Sequence, residues 1–194
     1  NNYTTQVQIA KVEGLRGLIA IINHGCVEAQ EFAAQALWHL ASDKTIQKRI
    51  AGEKGVAALV CMLQDSGERG AELAALALVR LAQGNPAVSV TVADAGGILP
   101  LVNLLGLGGE AAKQAAAAIA ELSLVAINRV AITSAGGIPP LIQLLSSRVI
   151  GTPETAARAL AHLARSDEAP DADADEDSLH NADERREIIR SQGG

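Results

Sequence analysis

At 194 residues the chain has room for one or two domains with a buried core, and 48% of it is apolar. Its aromatic residues are only Tyr3, Phe32 and Trp38, so the core must be built from Ala, Leu, Ile and Val, which suits packed helices better than an aromatic-rich β-sandwich. The net charge of −6 lies in one place: residues 1–166 hold 13 Lys/Arg against 12 Asp/Glu, and residues 167–194 hold 3 against 10, which argues against a nucleic-acid binder with its dense positive charge.

The opening "NNYTTQVQIA" lacks the basic-then-apolar layout of a secretory signal. Nor does any apolar run approach the roughly 18 residues needed to cross a bilayer. A first short helix is expected over residues 1–13. The phrase "AKVEGLRGLIAIINHG" (10–25) then begins a pattern: a glycine, a helix of medium length, and a longer helix ending "ALWHLA". It returns as "AGEKGVAALVCMLQDS" (51–66) with "ALVRLA", as "VADAGGILPLVNLLGL" (92–107) with "AIAELS", and as "ITSAGGIPPLIQLLSS" (132–147) with "ALAHLA". The glycines heading the medium helices are Gly14, Gly55, Gly97 and Gly137, spaced by 41, 42 and 40 residues. Apolar residues follow each at i, i+3, i+4, as in Leu18-Ile21-Ile22 and Leu141-Leu144-Leu145, the spacing of one helix face. Leu40, Leu81, Leu122 and Leu163 recur every 41 residues without drift. Independent insertions and deletions would not leave that regularity, so the chain is an internal repeat.

A shorter helix separates the units, as in "DKTIQKRIAGEK" and "NPAVSVTVADAG". Asn85-Pro86 reads as an N-cap followed by proline at the first helical position, and Thr152-Pro153 is expected to open a long helix in the same way. The repeated glycine is expected to adopt a backbone conformation closed to other residues, turning the short helix into the medium one. Pro100, Pro139 and Pro140 then fall in the first helical turn, where no intrahelical N–H bond is lost. The expected units are repeat 1 (1–13 for its short helix, 14–42 for the rest), repeat 2 (43–84), repeat 3 (85–125) and repeat 4 (126–166).

Residues 167–177 form an acidic insertion, too charged for a core and read as a solvated loop. Asp171, Asp173, Asp175 and Asp177 alternate like the first ligands of an EF-hand loop. Glu176 stands where that loop needs glycine, however, and Ala182 where it needs its glutamate, so calcium is not expected. Residues 178–194 read as the first helix of an incomplete fifth repeat, which implies a longer array or an end capped by a neighbouring molecule.

"AGGIPPLIQLLSS" followed by "TPETAARALAHLA" resembles an armadillo repeat, and all four copies share that layout over residues 5–166. HEAT repeats have similar length, but the GG-apolar-Pro-Pro-Leu opening favours armadillo. The resemblance implies an all-α, right-handed α-solenoid in which the long third helices line a concave groove. Helical geometry then gives three groove rows on the side away from Leu37 and Leu40. The first is His39, Arg80, Glu121, His162. The second, four residues earlier, is Gln35, Leu76, Ala117, Arg158, and the third is Glu31, Glu72, Lys113, Glu154. Nuclear-import adaptors of this family carry asparagine in the first row and tryptophan in the second; none of the four repeats does, which argues against binding of nuclear localisation signals. The basic groove of the adhesion and signalling members is also missing, because Glu31, Glu72, Glu121 and Glu154 offset Arg80, Lys113 and Arg158. Trp38 has two readings, a space-filling contact at the end of the stack or a binding hot spot.

Chemistry is sparse. "GLGGEAA" (106–112) has neither the preceding strand nor the GK[ST] of a phosphate loop. His24 and Cys26 form a lone H-x-C with no second pair at metal spacing. His39 and His162 stand three repeats apart. No catalytic residue, metal site or cofactor is expected. Cys26 and Cys61 are expected to be buried free thiols, favouring an intracellular, cytoplasmic or nuclear location. The function expected is a scaffold for a protein or peptide partner, without nucleic acid or membrane span, and with uncapped ends suited to end-to-end self-association. The alternatives are a substrate-recruiting module of a larger protein such as a ubiquitin ligase, and a structural part of a cytoskeletal or ciliary assembly.

Overall fold

The computed structural model describes residues 12–165 together with Thr5, Gln8, Ile9 and 187–191. The acidic insertion, the calcium test made on it and most of the expected fifth repeat lie outside the described residues.

Helices alternate with short turns throughout 12–165, and no strand occurs among the described residues. Repeat 1 supplies a medium helix α1 (Val12–His24) and a long helix α2 (Val27–Leu40). Three helical triplets follow: α3 (Lys44–Gly52), α4 (Gly55–Asp65) and α5 (Glu68–Ala82); α6 (Pro86–Asp94), α7 (Ile98–Leu105) and α8 (Gly109–Leu122); α9 (Ala126–Ser134), α10 (Ile138–Leu144) and α11 (Thr152–Leu163). Long helix packs on long helix in the order α2, α5, α8, α11, and medium on medium in the order α1, α4, α7, α10. This is the all-α solenoid that the period implies.

The packing follows from the repeated side chains. Leu37, Leu78, Ile119 and Leu160 occupy one position of the four long helices and are all buried; Leu40, Leu81, Leu122 and Leu163 do the same one turn later. Each such side chain stabilises the stack by about 1.5–3 kcal/mol. Ala77, Ala118 and Ala159, again 41 residues apart, are buried between consecutive long helices, where a methyl group lets the backbones approach closely. Stacking also explains one exposed aromatic. Leu73 is 5% exposed, whereas its counterpart on the first long helix, Phe32, has no described repeat in front of it and is 72% exposed.

The glycine pair divides its work differently from the expectation. The residue with the left-handed backbone is the first of the pair, Gly96 (φ +80°) or Gly136 (φ +77°), not the repeated Gly97 or Gly137. The Gly96 N–H donates to the Ala93 carbonyl and the Gly97 N–H to the Val92 carbonyl, each at 2.9 Å. This double bond pattern closes the α6 C-terminus as a Schellman motif. Gly97 itself has an ordinary helical backbone, φ −73° and ψ −16°. It must be glycine because a Cβ there would meet Val92 Cγ1 at 2.8 Å and the Val92 carbonyl oxygen at 2.9 Å. The two roles together set α6 and α7 at 88°. In repeat 2 a lysine takes the left-handed position: Lys54 has φ +63°, alone among the described non-glycine residues.

Two capping expectations meet different outcomes. The Asn85 side chain accepts from the Val88 N–H at 3.4 Å, with Pro86 opening α6 as expected. At α11 the cap is Gly151 (φ +85°), and Thr152 is already helical. Its hydroxyl is buried and meets no hydrogen-bond partner among the described residues, so Thr152 does not cap as expected.

A third device ties neighbouring repeats together. Gln47, Ser89 and Arg129 each lie eight residues before the repeated glycine, and all are buried. Gln47 Nε2 donates to the Ala41 carbonyl (2.8 Å) and to the Arg80 carbonyl of the next long helix (3.0 Å). Arg129 donates to the Ser123 carbonyl at 2.9 Å. Beside it, Asn128 Nδ2 reaches the Ser89 and Leu122 carbonyls at 3.1 and 3.2 Å. Helix ends leave carbonyls without intrahelical partners; these side chains satisfy them from the short helices.

Candidate functional site

The open side of the long-helix layer carries the three rows read from the sequence. None of their residues is buried: Gln35, His39, Glu154 and Arg158 are exposed, and Glu31, Glu72, Leu76, Arg80, Lys113, Ala117, Glu121 and His162 are half-buried, as is Trp38. The packing order of α2, α5, α8 and α11 makes neighbours of row members one repeat apart. His39 and His162 are not brought together, since α5 and α8 lie between their helices.

The side chains interact more specifically than their spacing discloses. The Arg80 guanidinium lies over the Trp38 indole, 5.4 Å from the ring centroid, a cation–π arrangement that holds it against the floor. The His39 ring lies 4.4 Å from the Trp38 ring at 60°. One repeat further, Arg158 stands 4.0 Å from the Glu121 carboxylate. Lys113 pairs with Glu110 at 3.1 Å, and Glu72 with Arg69 at 3.0 Å. His162 Nδ1 is 2.8 Å from the Ala120 carbonyl, so the last imidazole of the first row is engaged with the preceding helix. Glu31, Gln35 and Glu154 have no side-chain partner among the described residues. The face is thus a wall of mixed charge with one cation stacked on an aromatic ring.

Sequence reasoning missed two features. Glu110 and Arg69, which engage row residues, lie outside the three rows. A cavity of about 440 Å³ lies between the end of α4, the start of α5 and α7, with Leu63, Glu68, Leu99, Pro100, Leu104 and Leu107 in its lining. Exposed Leu99 and Leu107 were the available signal, but the helical period assigns such residues to a generic outer surface. The cysteines correct an expectation outright: Cys26 and Cys61 are both exposed, Cys26 because it occupies the N-cap of α2 rather than a helix interior. Among the described residues no group of three His, Cys, Asp or Glu side chains could hold a metal ion. No single described helix is long and apolar enough to cross a membrane.

Residues 127–165 match the Armadillo/beta-catenin-like repeat family. Among solved structures, an engineered protein from the Northeast Structural Genomics Consortium is 30% identical, with a TM-score of 0.75 over 93% of this chain and 81% of that one. A designed armadillo repeat protein in complex with the peptide (KR)4 is 22% identical, with a TM-score of 0.77 over 95% of this chain and 85% of that one. One of the computationally designed armadillo repeat proteins for modular peptide recognition is 24% identical, with a TM-score of 0.74 over 91% and 82%. No curated protein matches this sequence.

Proposed function

Because the chain belongs to the armadillo-repeat family, we propose that it is a non-catalytic scaffold binding a segment of a partner polypeptide along the groove of its long helices. The observation that carries this reading is the half-buried Trp38–Arg80 stack on a continuous wall of mixed charge. Charges fixed on packed helices discriminate partners by complementarity more than they add affinity, and tryptophan and arginine are enriched among the anchors of such surfaces. Designed proteins of this fold bind peptides, which supports the same use here. Recruiting substrate for a ligase would be a use of the same groove, whereas a structural part of a cytoskeletal or ciliary assembly would use end-to-end or lateral contacts. Exposed free thiols at Cys26 and Cys61 suit a reducing compartment, so we place the protein inside the cell.

The test is Arg80→Glu combined with Arg158→Glu. Partner-derived crosslinks, mapped by mass spectrometry after affinity capture, should fall on the groove rows, and the double variant should lose them while its thermal unfolding stays nearly unchanged. Unaltered affinity would remove the groove as the site.

A second reading has its own observation. Phe32 presents the same stacking face that buries Leu73 one repeat later, and we propose a second copy of the chain as its occupant. Phe32→Glu should then abolish any rise of solution mass with concentration; a strictly monomeric parent protein sinks this reading.

A further inference from the structure

We propose that the first two repeats form a two-sided peptide site: Arg80 receives a carboxylate from one edge of an extended strand, and Glu31 with Glu72 receives a basic side chain from its other edge. This rests on the groove reading above and names the chemistry of its ligand.

Arg80 is held from two directions. Its backbone carbonyl accepts from buried Gln47, and its guanidinium lies over Trp38. The ring meets the guanidinium through its π-system and uses none of its N–H donors in a hydrogen bond. No carboxylate or carbonyl among the described residues accepts from those donors. These donors are open to the groove, and a carboxylate is the group whose two oxygens match the guanidinium fork. The other cations of the rows are already engaged, Arg158 with Glu121 and Lys113 with Glu110. Arg80 is therefore where an incoming acid gains most.

The opposite sign stands two helical turns away. Glu31 precedes His39 by eight residues and Glu72 precedes Arg80 by eight, about 12 Å along each helix axis. Glu31 is unpartnered among the described residues, and Glu72 is bound only by Arg69, whose side chain is 60% exposed. Such a surface pair is worth little and is readily exchanged for a ligand's cation. Between the acidic and basic rows lie only Gln35 and Leu76, an amide and an apolar floor. An extended strand crossing there sends successive side chains to opposite sides. Its acidic residue reaches Arg80 and its basic neighbour reaches Glu31 and Glu72, so the partner must carry them at odd spacing. Repeat 3 ends the site, because Lys113 and Glu121 reverse the order of signs and are both paired internally.

Two labelled octapeptides of identical composition test this, one alternating (Glu-Lys)4 and one blocked (Glu-Glu-Lys-Lys)2. The first segregates its charges on opposite strand edges and the second mixes them. Binding is read by anisotropy and by the emission of Trp38, the sole tryptophan. The alternating peptide should bind about tenfold more tightly than the blocked one, and Arg80→Gln, or Glu31→Gln with Glu72→Gln, should each remove that advantage. Unfolding curves of the variants check that they remain folded. Equal affinity for the two peptides, or an advantage that survives Arg80→Gln, overturns the two-sided arrangement, and so does failure of both to bind. The groove reading itself falls only if the charge-reversed Arg80→Glu, Arg158→Glu protein still captures its partner.

Discussion

Replacing the two glycines of one turn separately distinguishes their roles. In Gly97→Ala the backbone is already in an ordinary helical conformation, so alanine gains about 0.4–1 kcal/mol by narrowing the unfolded ensemble. Against that, the new methyl would lie 2.8 Å from Val92 Cγ1, 2.9 Å from the Val92 carbonyl oxygen and 3.1 Å from Val60 Cγ2. Val92 is fully buried and β-branched, and its carbonyl is the acceptor for the Gly97 N–H, so neither can step aside cheaply. Overpacking of this kind costs about 1–3 kcal/mol, and part of the capping bond goes with it. The net expectation is a loss of about 2 kcal/mol, a fall of roughly 4–8 °C in unfolding temperature for a chain of this size. In Gly96→Ala the added methyl meets nothing within 4 Å. Only the left-handed backbone opposes it, at about 1–2 kcal/mol, offset by the same unfolded-state gain. Its net loss is about 0.5–1 kcal/mol, and Gly96→Asn should lose less, since asparagine tolerates that conformation. Urea midpoints compared at constant slope measure these differences. If Gly97→Ala is no more harmful than Gly96→Ala, or if asparagine is tolerated equally at both positions, the division of roles is wrong.

Four further outcomes follow from particular side chains. Lys54→Gly should raise stability by up to about 1 kcal/mol, because it relieves the left-handed lysine at slight entropic cost; a lower urea midpoint would contradict this. Gln47→Ala leaves the Ala41 and Arg80 carbonyls short of a donor and should cost about 1–3 kcal/mol; a loss below the error of a melt would show that the cap is idle. Thr152→Val deletes a buried hydroxyl without changing shape and should stabilise by about 1 kcal/mol, with a lower melting temperature as the contrary result. Both cysteines should react with a thiol reagent in the native state without unfolding of the chain, and protection of either would show that it is covered in solution.

The period made the architecture legible, because leucines recurring every 41 residues can share a core only if the units stack. The rows of the groove followed from the same arithmetic, for a helix face is a local property. What the period could not disclose were pairings between repeats. Trp38 and Arg80 stand 42 positions apart, and their stacking depends on rotamers that no sequence spacing encodes. The buried caps at Gln47 and Arg129 were hidden for another reason: a polar residue on a short helix reads as solvated until its carbonyl partner, contributed by another helix, is in place. The roles of the glycine pair were reversed because two adjacent glycines look alike in sequence; only the neighbours of each Cβ tell them apart.

The side-chain links across unit boundaries have a practical corollary for protein engineering. Gln47 clasps the end of the preceding unit and the carbonyl of Arg80 in its own, and Asn128 reaches back to Ser89 and Leu122 of the unit before it. A module excised at the glycine turn and grafted elsewhere would lose the bonds from Gln47 to Arg80 and from Asn128 to Ser89 and arrive with a loosened rim. Cutting in the turns before α3 and α9 would instead part Gln47 from Ala41, Asn128 from Leu122 and Arg129 from Ser123, so exchanged modules should be chosen for matching residues at these short-helix positions as carefully as for the groove.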